Sequence, residues 1–222
     1  TSRACARCEA KSETKPSTSS SGTSKTDIEV AKDVDGYVIS MIIAEEYLAP
    51  IKDRSRAIAG RTGCGICGAE SIEQVVQDIE ALPQLLRQVS HTAVNEAVQK
   101  LSDNQFINAD TGAVHAAAWC TSSGNVELLR EDVGRHNALD KLIGALLTQS
   151  EPFDPSQGFL VISSRASYEM VQKAALAGME LVVAVSAPTN LAIDLADKVG
   201  LTLAGFSRPG KHSVYSHSFR LS

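Results

Sequence analysis

Two cysteines, Cys64 and Cys67, stand in a C-x-x-C arrangement inside the glycine-rich run GRTGCGICG, residues 60–68. Glycine accepts backbone conformations that other residues avoid, so four glycines among nine residues predict a flexible loop more than a helix or strand. Arg61 lies three residues before Cys64 and follows further cationic residues. Positive charge favours the nucleophilic thiolate over the thiol. The pattern therefore predicts an accessible, activated sulfur on a loop that can reach another molecule.

Three kinds of chemistry fit this pattern, namely half of a zinc site, a thioredoxin-like redox pair and sulfur transfer. A second C-x-x-C, Cys5 and Cys8, brings the number of cysteines to that of a four-cysteine zinc site. We do not favour that site, because the Ser- and Thr-rich tract of residues 17–24 between the pairs would have to fold back. A buried structural pair is also disfavoured, since buried cysteines seldom lie among glycines. The residues alone leave zinc, redox and sulfur chemistry open.

The composition excludes several classes of protein. The chain has 222 residues, of which 43% are hydrophobic, so it can form a packed core. Its net charge of -5 argues against a broad basic surface for nucleic acid. The sequence contains neither an apolar run of the roughly 18 residues that span a bilayer nor an apolar secretory signal. Five cysteines, an odd number, do not resemble a disulfide framework. We expect a cytoplasmic protein without a membrane or nucleic-acid partner.

The first half of the chain predicts a tail followed by a small N-terminal region. Residues 1–26 are rich in Ser, Thr and Lys, and we expect a disordered or artificially added tail there. Residues 27–110 are predicted to form an N-terminal β/α region that includes the cysteine loop. Asp35-Gly36 is a hairpin turn signal between alternating apolar runs. Helical spacing predicts one helix around residues 72–79, bounded by Pro83, and another from about residue 91 to residue 101.

Residues 111–222 predict an α/β core. Apolar strands alternate with amphipathic helices, which predicts a largely parallel sheet with helices on its faces. The predicted strands are Val114–Cys120, Val126–Asp132, Phe159–Ile162, Leu181–Val185 and Leu201–Phe206, and the predicted helices are residues 134–147, Tyr168–Ala177 and Asn190–Val199.

Polar side chains follow the ends of these strands, where open α/β sheets bind their ligands. They are Asp132, Arg135 and His136, then Ser163, Ser164 and Arg165, then Ser186 and Thr189, and finally Ser207, Arg208, Gly210, Lys211 and His212. The run FSRPGK, residues 206–211, places two cations around a Pro-Gly turn, and an arginine fork and a lysine charge suit phosphate oxygens. This predicts a site for a molecule with anionic phosphates, such as a guanine nucleotide. A solvated surface turn is the alternative.

The same order of elements occurs in zinc-dependent deaminases, which need an H-x-E motif and a P-C-x-x-C motif at two helix starts. Here the corresponding segments read RHNA, residues 135–138, and SSRASYEM, residues 163–170. Neither supplies the zinc ligands. The order of strands and helices found in deaminases is therefore compatible with this sequence, but we exclude deaminase chemistry.

Several long motifs occur in a fixed order: AIAGRTGCGICG from residue 57, HAAAW from 115, EDVGRHNALDKLIG from 131, SSRASYEMVQKAALAG from 163 and AGFSRPGKHSVYSH from 204. Through them the chain resembles the formate dehydrogenase accessory protein family, FdhD, from about Ile51 to Ser222. The resemblance implies a cytoplasmic, homodimeric sulfur carrier. It implies that a cysteine desulfurase supplies a persulfide sulfur, which passes to the molybdenum (or tungsten) bis-molybdopterin guanine dinucleotide cofactor before its insertion into formate dehydrogenase.

The resemblance also implies a fold and a set of site residues. The fold is a cytidine deaminase-like three-layer α/β core with a mixed sheet, preceded by a small β-containing N-terminal region. Cys64 corresponds to the persulfide carrier, and Cys67 to a relay or resolving thiol. The cofactor-binding run corresponds to Phe206, Ser207, Arg208, Pro209, Gly210 and Lys211, and no structural metal is expected. A cofactor-binding chaperone without sulfur chemistry is the alternative function.

The chain departs from the family pattern in its first part, where we expect residues 1–26 to replace most of a longer β-rich region. Cys5, Cys8 and Cys120 have no counterpart in the family motifs. We expect Cys120 to be a small apolar strand residue.

Overall fold

A computed structural model describes residues 5–11, 28–33, 36–42, 79–86 and 88–222. The cysteine loop of residues 60–68, and most of the helix predicted around residues 72–79, lie outside the described residues. Ile79, the last residue of that predicted helix, is described and is not helical. Contacts divide the chain into two units, and each is described by itself.

The first unit contains a three-stranded sheet of β1 (Cys5–Lys11), β2 (Ile28–Asp33) and β3 (Gly36–Ile42). Strand β3 lies in the middle, antiparallel to β2 and parallel to β1. Asp33 pairs with Gly36, which confirms the hairpin that Asp35-Gly36 predicted. Strand β1 falls inside the range expected to be a disordered tail, so that expectation is wrong for residues 5–11.

The second unit contains a six-stranded mixed sheet with helices. Its strands lie in the order β5-β4-β6-β7-β8-β9. The central strands β6, β7 and β8 are parallel to one another, whereas β4, β5 and β9 run antiparallel to their neighbours. The elements are α1 (His91–Asp103), α2 (Phe106–Thr111), β4 (His115–Thr121), β5 (Val126–Asp132), α3 (Arg135–Leu147), β6 (Gly158–Ile162), α4 (Tyr168–Leu176), β7 (Leu181–Ala184), α5 (Asn190–Val199), β8 (Thr202–Arg208) and β9 (Lys211–Ser216).

The mixed α/β class and the mixed sheet are confirmed. The prediction of a largely parallel sheet holds only for β6, β7 and β8. Strands β6 and β7 are buried along their whole length, because helices can cover both faces of a parallel sheet and its strands then need no polar face. The specific likeness to cytidine deaminases stays a prediction.

Helix α1 packs on this sheet. It begins after Ser90, whose side-chain oxygen accepts a hydrogen bond from the Ala93 amide at 3.0 Å. Its buried residues follow helical spacing and join one hydrophobic cluster with residues of β4, β6, β7 and β8. The predicted boundary between residues 110 and 111 would place α1 outside the α/β core, but α1 packs on the sheet of that core. None of the helices in the described part of the chain is long and apolar enough to cross a membrane.

Candidate functional site

The carboxyl ends of β6, β7 and β8 bring predicted site residues together at one edge of the sheet. Ser163 follows β6, Ser186 comes shortly after β7, and Ser207 and Arg208 end β8. Two cavities open at this edge, and Ser163 lines both of them. The sequence predicted this convergence, because neighbouring parallel strands end on the same side of a sheet.

The first cavity, which we call the α1–β8 cavity, has a volume of about 380 Å³. Residues from the end of α1, the start of α2 and the ends of β7 and β8 line it. They include Val98, Leu101, Asp103, Gln105, Val185, Ser207, Arg208 and Pro209. This volume lies at the lower end of the range of small-molecule sites, roughly 300–1,000 Å³.

The run FSRPGK forms the tip of the β8–β9 hairpin. Strand β8 continues through Arg208, Lys211 begins β9, and these two residues pair across the Pro209-Gly210 turn. Gly210 has a φ of 85°, a left-handed conformation that favours glycine. Arg208 and Pro209 line the α1–β8 cavity, whereas Lys211 is exposed and lines neither of the two cavities.

Hydrogen bonds fix the rim of this cavity. The Arg208 Nη1 atom donates to the carbonyl oxygen of Val185 and, at 2.9 Å, to that of Ser207. The guanidinium thereby ties the end of β7 to the end of β8. The Phe206 amide donates to the Ser186 carbonyl at 3.1 Å, which adds a second link between the same strand ends. Two strand ends that are joined in this way form a rigid edge for a ligand.

Two polar side chains of the α1–β8 cavity are buried without a hydrogen-bond partner. Ser207 is 1% exposed, and its Oγ atom has none. Gln105 is 7% exposed, and its Nε2 atom likewise has none. Buried polar groups are nearly always hydrogen-bonded, so each such atom requires an explanation.

The second cavity, which we call the serine–arginine cavity, has a volume of about 290 Å³. It is lined by His115, Arg135, Ser163, Ser164, Arg165 and Ser186. Burial and the neighbouring Arg135 charge lower the pKa of His115. Two guanidinium groups and several hydroxyls are donors that suit an anionic oxygen.

Other predicted site residues serve the fold. The Asp132 carboxylate accepts from the Gly134 amide at 2.9 Å and from Asn137 Nδ2 at 3.1 Å, at the start of α3. Thr189 caps α5. The His136 Nε2 atom lies 3.1 Å from Glu169 Oε2.

His212 pairs with His91, with 2.8 Å between the facing ring nitrogens. His91 is the first residue of α1, and Ser90 rather than His91 caps the helix. This pair could not be predicted from the sequence, because the two histidines are 121 residues apart.

The two cysteines of the predicted carrier loop, Cys64 and Cys67, lie outside the described residues. Cys120 is buried in β4, as expected, and burial raises the pKa of its thiol to about 12. Within the part of the chain that the structure describes, no three His, Cys, Asp or Glu residues form a metal-binding cluster. Gln105 is the residue that sequence reasoning missed, since it belongs to no motif and only packing of α1 brings it beside β8.

Comparison with known proteins supplies the family. A protein described as sulfur carrier protein FdhD from Cupriavidus necator is 50% identical over 198 residues, which are 88% of this chain and 67% of that protein. One with the same description from Xanthomonas oryzae pv. oryzae is 51% identical over 189 residues, or 85% of this chain and 66% of that protein. The chain therefore spans about two thirds of the length of these curated relatives.

A crystal structure of a protein described as a formate dehydrogenase accessory protein from Desulfotalea psychrophila shares the fold. Its TM-score is 0.64 at 20% identity, covering 88% of this chain and 72% of that one. At this identity the likeness supports the fold alone. The sequence model of the FdhD/NarQ family matches residues 18–222. The family model matches nearly the whole chain, and the curated relatives share about half of its residues, so this chain belongs to the FdhD/NarQ family.

Proposed function

We propose that this chain is a cytoplasmic sulfur carrier that serves formate dehydrogenase. The observation that carries the proposal is a sequence identity of about one half with proteins described as sulfur carriers, over 85–88% of this chain. In the proposal, Cys64 accepts sulfur from a cysteine desulfurase. The sulfur then passes to the molybdenum (or tungsten) bis-molybdopterin guanine dinucleotide, which is the acceptor substrate. The protein acts as a homodimer.

The sulfur steps balance without an external oxidant. The Cys64 thiolate attacks the terminal sulfur of the desulfurase persulfide, a new S–S bond forms on Cys64, and the desulfurase cysteine leaves as a thiolate. For release, the Cys67 thiolate attacks the Cys64 Sγ atom. The terminal sulfur departs as sulfide, and a Cys64–Cys67 disulfide remains, so the two thiols supply the two electrons. A cellular dithiol then reduces the disulfide.

The hairpin tip of residues 206–211 would hold the nucleotide part of the acceptor. Arg208 and Pro209 line the α1–β8 cavity, and Arg208 also fixes the strand ends around it. The neighbouring serine–arginine cavity, which shares Ser163 with it, offers guanidinium and hydroxyl donors to phosphate oxygens. A dinucleotide spanning both cavities would place its base and its pyrophosphate in different surroundings.

A second function, cofactor binding without sulfur chemistry, also draws support from the cavities, since binding there does not require a thiol. Formate dehydrogenase activity in cells that lack their own family member separates the two functions. We expect the wild-type chain and Cys120→Ala to restore activity, whereas Cys64→Ala and Cys67→Ala do not. Full activity with Cys64→Ala would reject the carrier role and favour a chaperone that only holds the cofactor.

A further inference from the structure

Two histidines join the start of α1 to the β8–β9 hairpin. His91 is the first residue of α1, and His212 is the second residue of β9. The His91 Nδ1 and His212 Nε2 atoms lie 2.8 Å apart. At this distance the two nitrogens share one proton in a hydrogen bond, in which one ring donates and the other accepts. Among the described residues, no other side-chain hydrogen bond joins α1 to β9.

The pair does not tolerate a second proton. If both facing nitrogens carried a proton, two donors and two positive charges would face each other across the 2.8 Å gap. The other ring nitrogen of His212, Nδ1, is buried and has no hydrogen-bond partner in the described part of the chain. A protonated His212 would therefore also bury an N–H donor that lacks an acceptor. The hydrogen bond between the rings thus requires His212 to stay neutral.

The surrounding charges do not offset this cost. The charged side chains on the adjoining elements are cations, carboxylates that already pair with a cation or a histidine, or lie at the far end of α1. They are Arg208 and Lys211 of the hairpin, Glu96 with Lys100 of α1, Glu180 with Arg220, Asp197 with His217, and Asp103 at the end of α1. His91 itself lies at the positive end of the α1 dipole, where further positive charge is unfavourable. Burial and the His91 charge accordingly lower the pKa of His212.

The sheet holds the outer part of the β8–β9 hairpin weakly. Strand β9 is an edge strand, and its register with β8 shifts twice, between Leu203 and Ala204 and between Gly205 and Arg208. Phe206, within the second irregularity, has a φ of 50°, a left-handed conformation that is strained in a residue other than glycine. Because the ladder is disrupted at these points, β9 depends on its contacts with α1 to stay in place.

From these observations we propose that the His91–His212 pair is a pH switch, which holds β9 against α1 at neutral pH and releases it in acid. The separated imidazoles bind protons more readily than the paired ones, so acid favours the released state. Arg208 and Pro209 of the hairpin line the α1–β8 cavity, so release of β9 loosens one wall of that cavity. This last step rests on the proposed function, in which the hairpin tip holds the acceptor.

Hydrogen exchange of the backbone amides in the full chain, measured at pH 7.5 and at pH 5.5, tests the switch without a ligand. After correction for the intrinsic pH dependence of exchange, the protection of the β9 amides that bond to β8 should fall by up to about tenfold. This factor follows because a free histidine takes up a proton below about pH 6.5. At both pH values the β9 amides should be less protected than those of the central strand β6, since β9 opens without unfolding of the whole unit.

Three variants identify the group responsible. His212→Gln can still bond to His91 but takes up no proton, so its β9 protection should be the same at both pH values. His91→Ala lacks the hydrogen bond, and its β9 protection at pH 7.5 should be about fivefold below that of wild type. The matched control His217→Gln removes a histidine that contacts Asp197 of α5, and it should keep the wild-type dependence on pH.

Unchanged β9 protection in wild type between the two pH values would overturn the inference. An equal fall in wild type and His212→Gln would overturn it as well, since another group would then be responsible. Equal protection of β9 and β6 at pH 5.5 would show that β9 opens only when the whole unit unfolds, which also overturns it. None of these measurements involves sulfur, so the sulfur loading of Cys64 tests the proposed function separately.

Discussion

Glu180 and Arg220 form a buried ion pair whose removal has a calculable cost. Arg220 Nε donates to Glu180 Oε2 at 3.0 Å, and the two side chains are 1% and 2% exposed, respectively. The same carboxylate accepts from the Leu85 amide at 2.6 Å and the Leu86 amide at 3.2 Å. The pair thus attaches the segment before α1 to the sheet. Glu180→Gln places an amide donor among these donors and leaves the Arg220 charge buried without a counter-charge.

The expected loss of stability is large. Removing one partner of a buried ion pair costs about 3–5 kcal/mol, because the remaining charge stays desolvated. The free energy of unfolding of a domain is only about 5–15 kcal/mol, so at least about a fifth of the stability is at stake. With a urea dependence of about 2 kcal/mol per M, the unfolding midpoint should fall by about 2 M.

Urea unfolding followed by the fluorescence of Trp119, the single tryptophan of the chain, measures this midpoint in the second unit. The matched control is Glu96→Gln, which removes an exposed ion pair with Lys100 on α1. Exposed pairs contribute about 0–1 kcal/mol, so this midpoint should barely move. Equal small shifts in both variants would refute the reasoning. In the double variant Glu180→Gln/Arg220→Gln, the loss should be smaller than the sum of the two single losses.

Three further outcomes follow from the structure. Gly205→Ala should lower the free energy of unfolding in urea by about 1–3 kcal/mol, since the added Cβ would lie 2.7 Å from Pro188 Cδ. Gly144→Ala in α3 should raise it by about 0.5–1 kcal/mol, because the added Cβ would meet no atom within 4 Å and alanine favours a helix more than glycine does. Burial and the His91 charge lower the pKa of His212 in the folded protein, so the His212 imidazole binds a proton more readily in the unfolded chain than in the folded one. Stability should therefore fall as the pH drops below about 6.5, and His212→Gln should flatten that dependence between pH 7.5 and 5.5. Iodoacetamide should not label Cys120 in the folded protein, because burial raises the pKa of this thiol to about 12. Labelling of Cys120 in the folded protein near neutral pH would contradict that burial.

The sequence predicted the order of strands and helices in the second unit because their apolar residues follow clear periods. Helix α5 has the predicted bounds, since Thr189 caps its start and Gly200, with a φ of 75°, ends it. Strand β9 was missed. Its residues alternate between exposed and half-buried at the edge of the sheet, so they carry no apolar run.

The candidate site was only partly predictable. Ser207 and Arg208 were expected there, because they follow an apolar strand that ends at the ligand-binding edge. Gln105 was not expected, since its place in the cavity depends on how α1 packs against β8. The pairing of Glu180 with Arg220 has the same origin, because residues 40 apart become partners only through packing in three dimensions.

The central claim, that Cys64 carries sulfur, is tested most directly by the intact mass of the protein after incubation with a cysteine desulfurase and cysteine. We expect wild type and Cys120→Ala to gain the mass of one sulfur atom, which a reductant removes. Cys64→Ala should gain none, and Cys67→Ala should gain the same mass as wild type, because Cys67 serves release to the acceptor and not loading. A sulfur gain in Cys64→Ala equal to that of wild type, or no gain in any form, would contradict the claim.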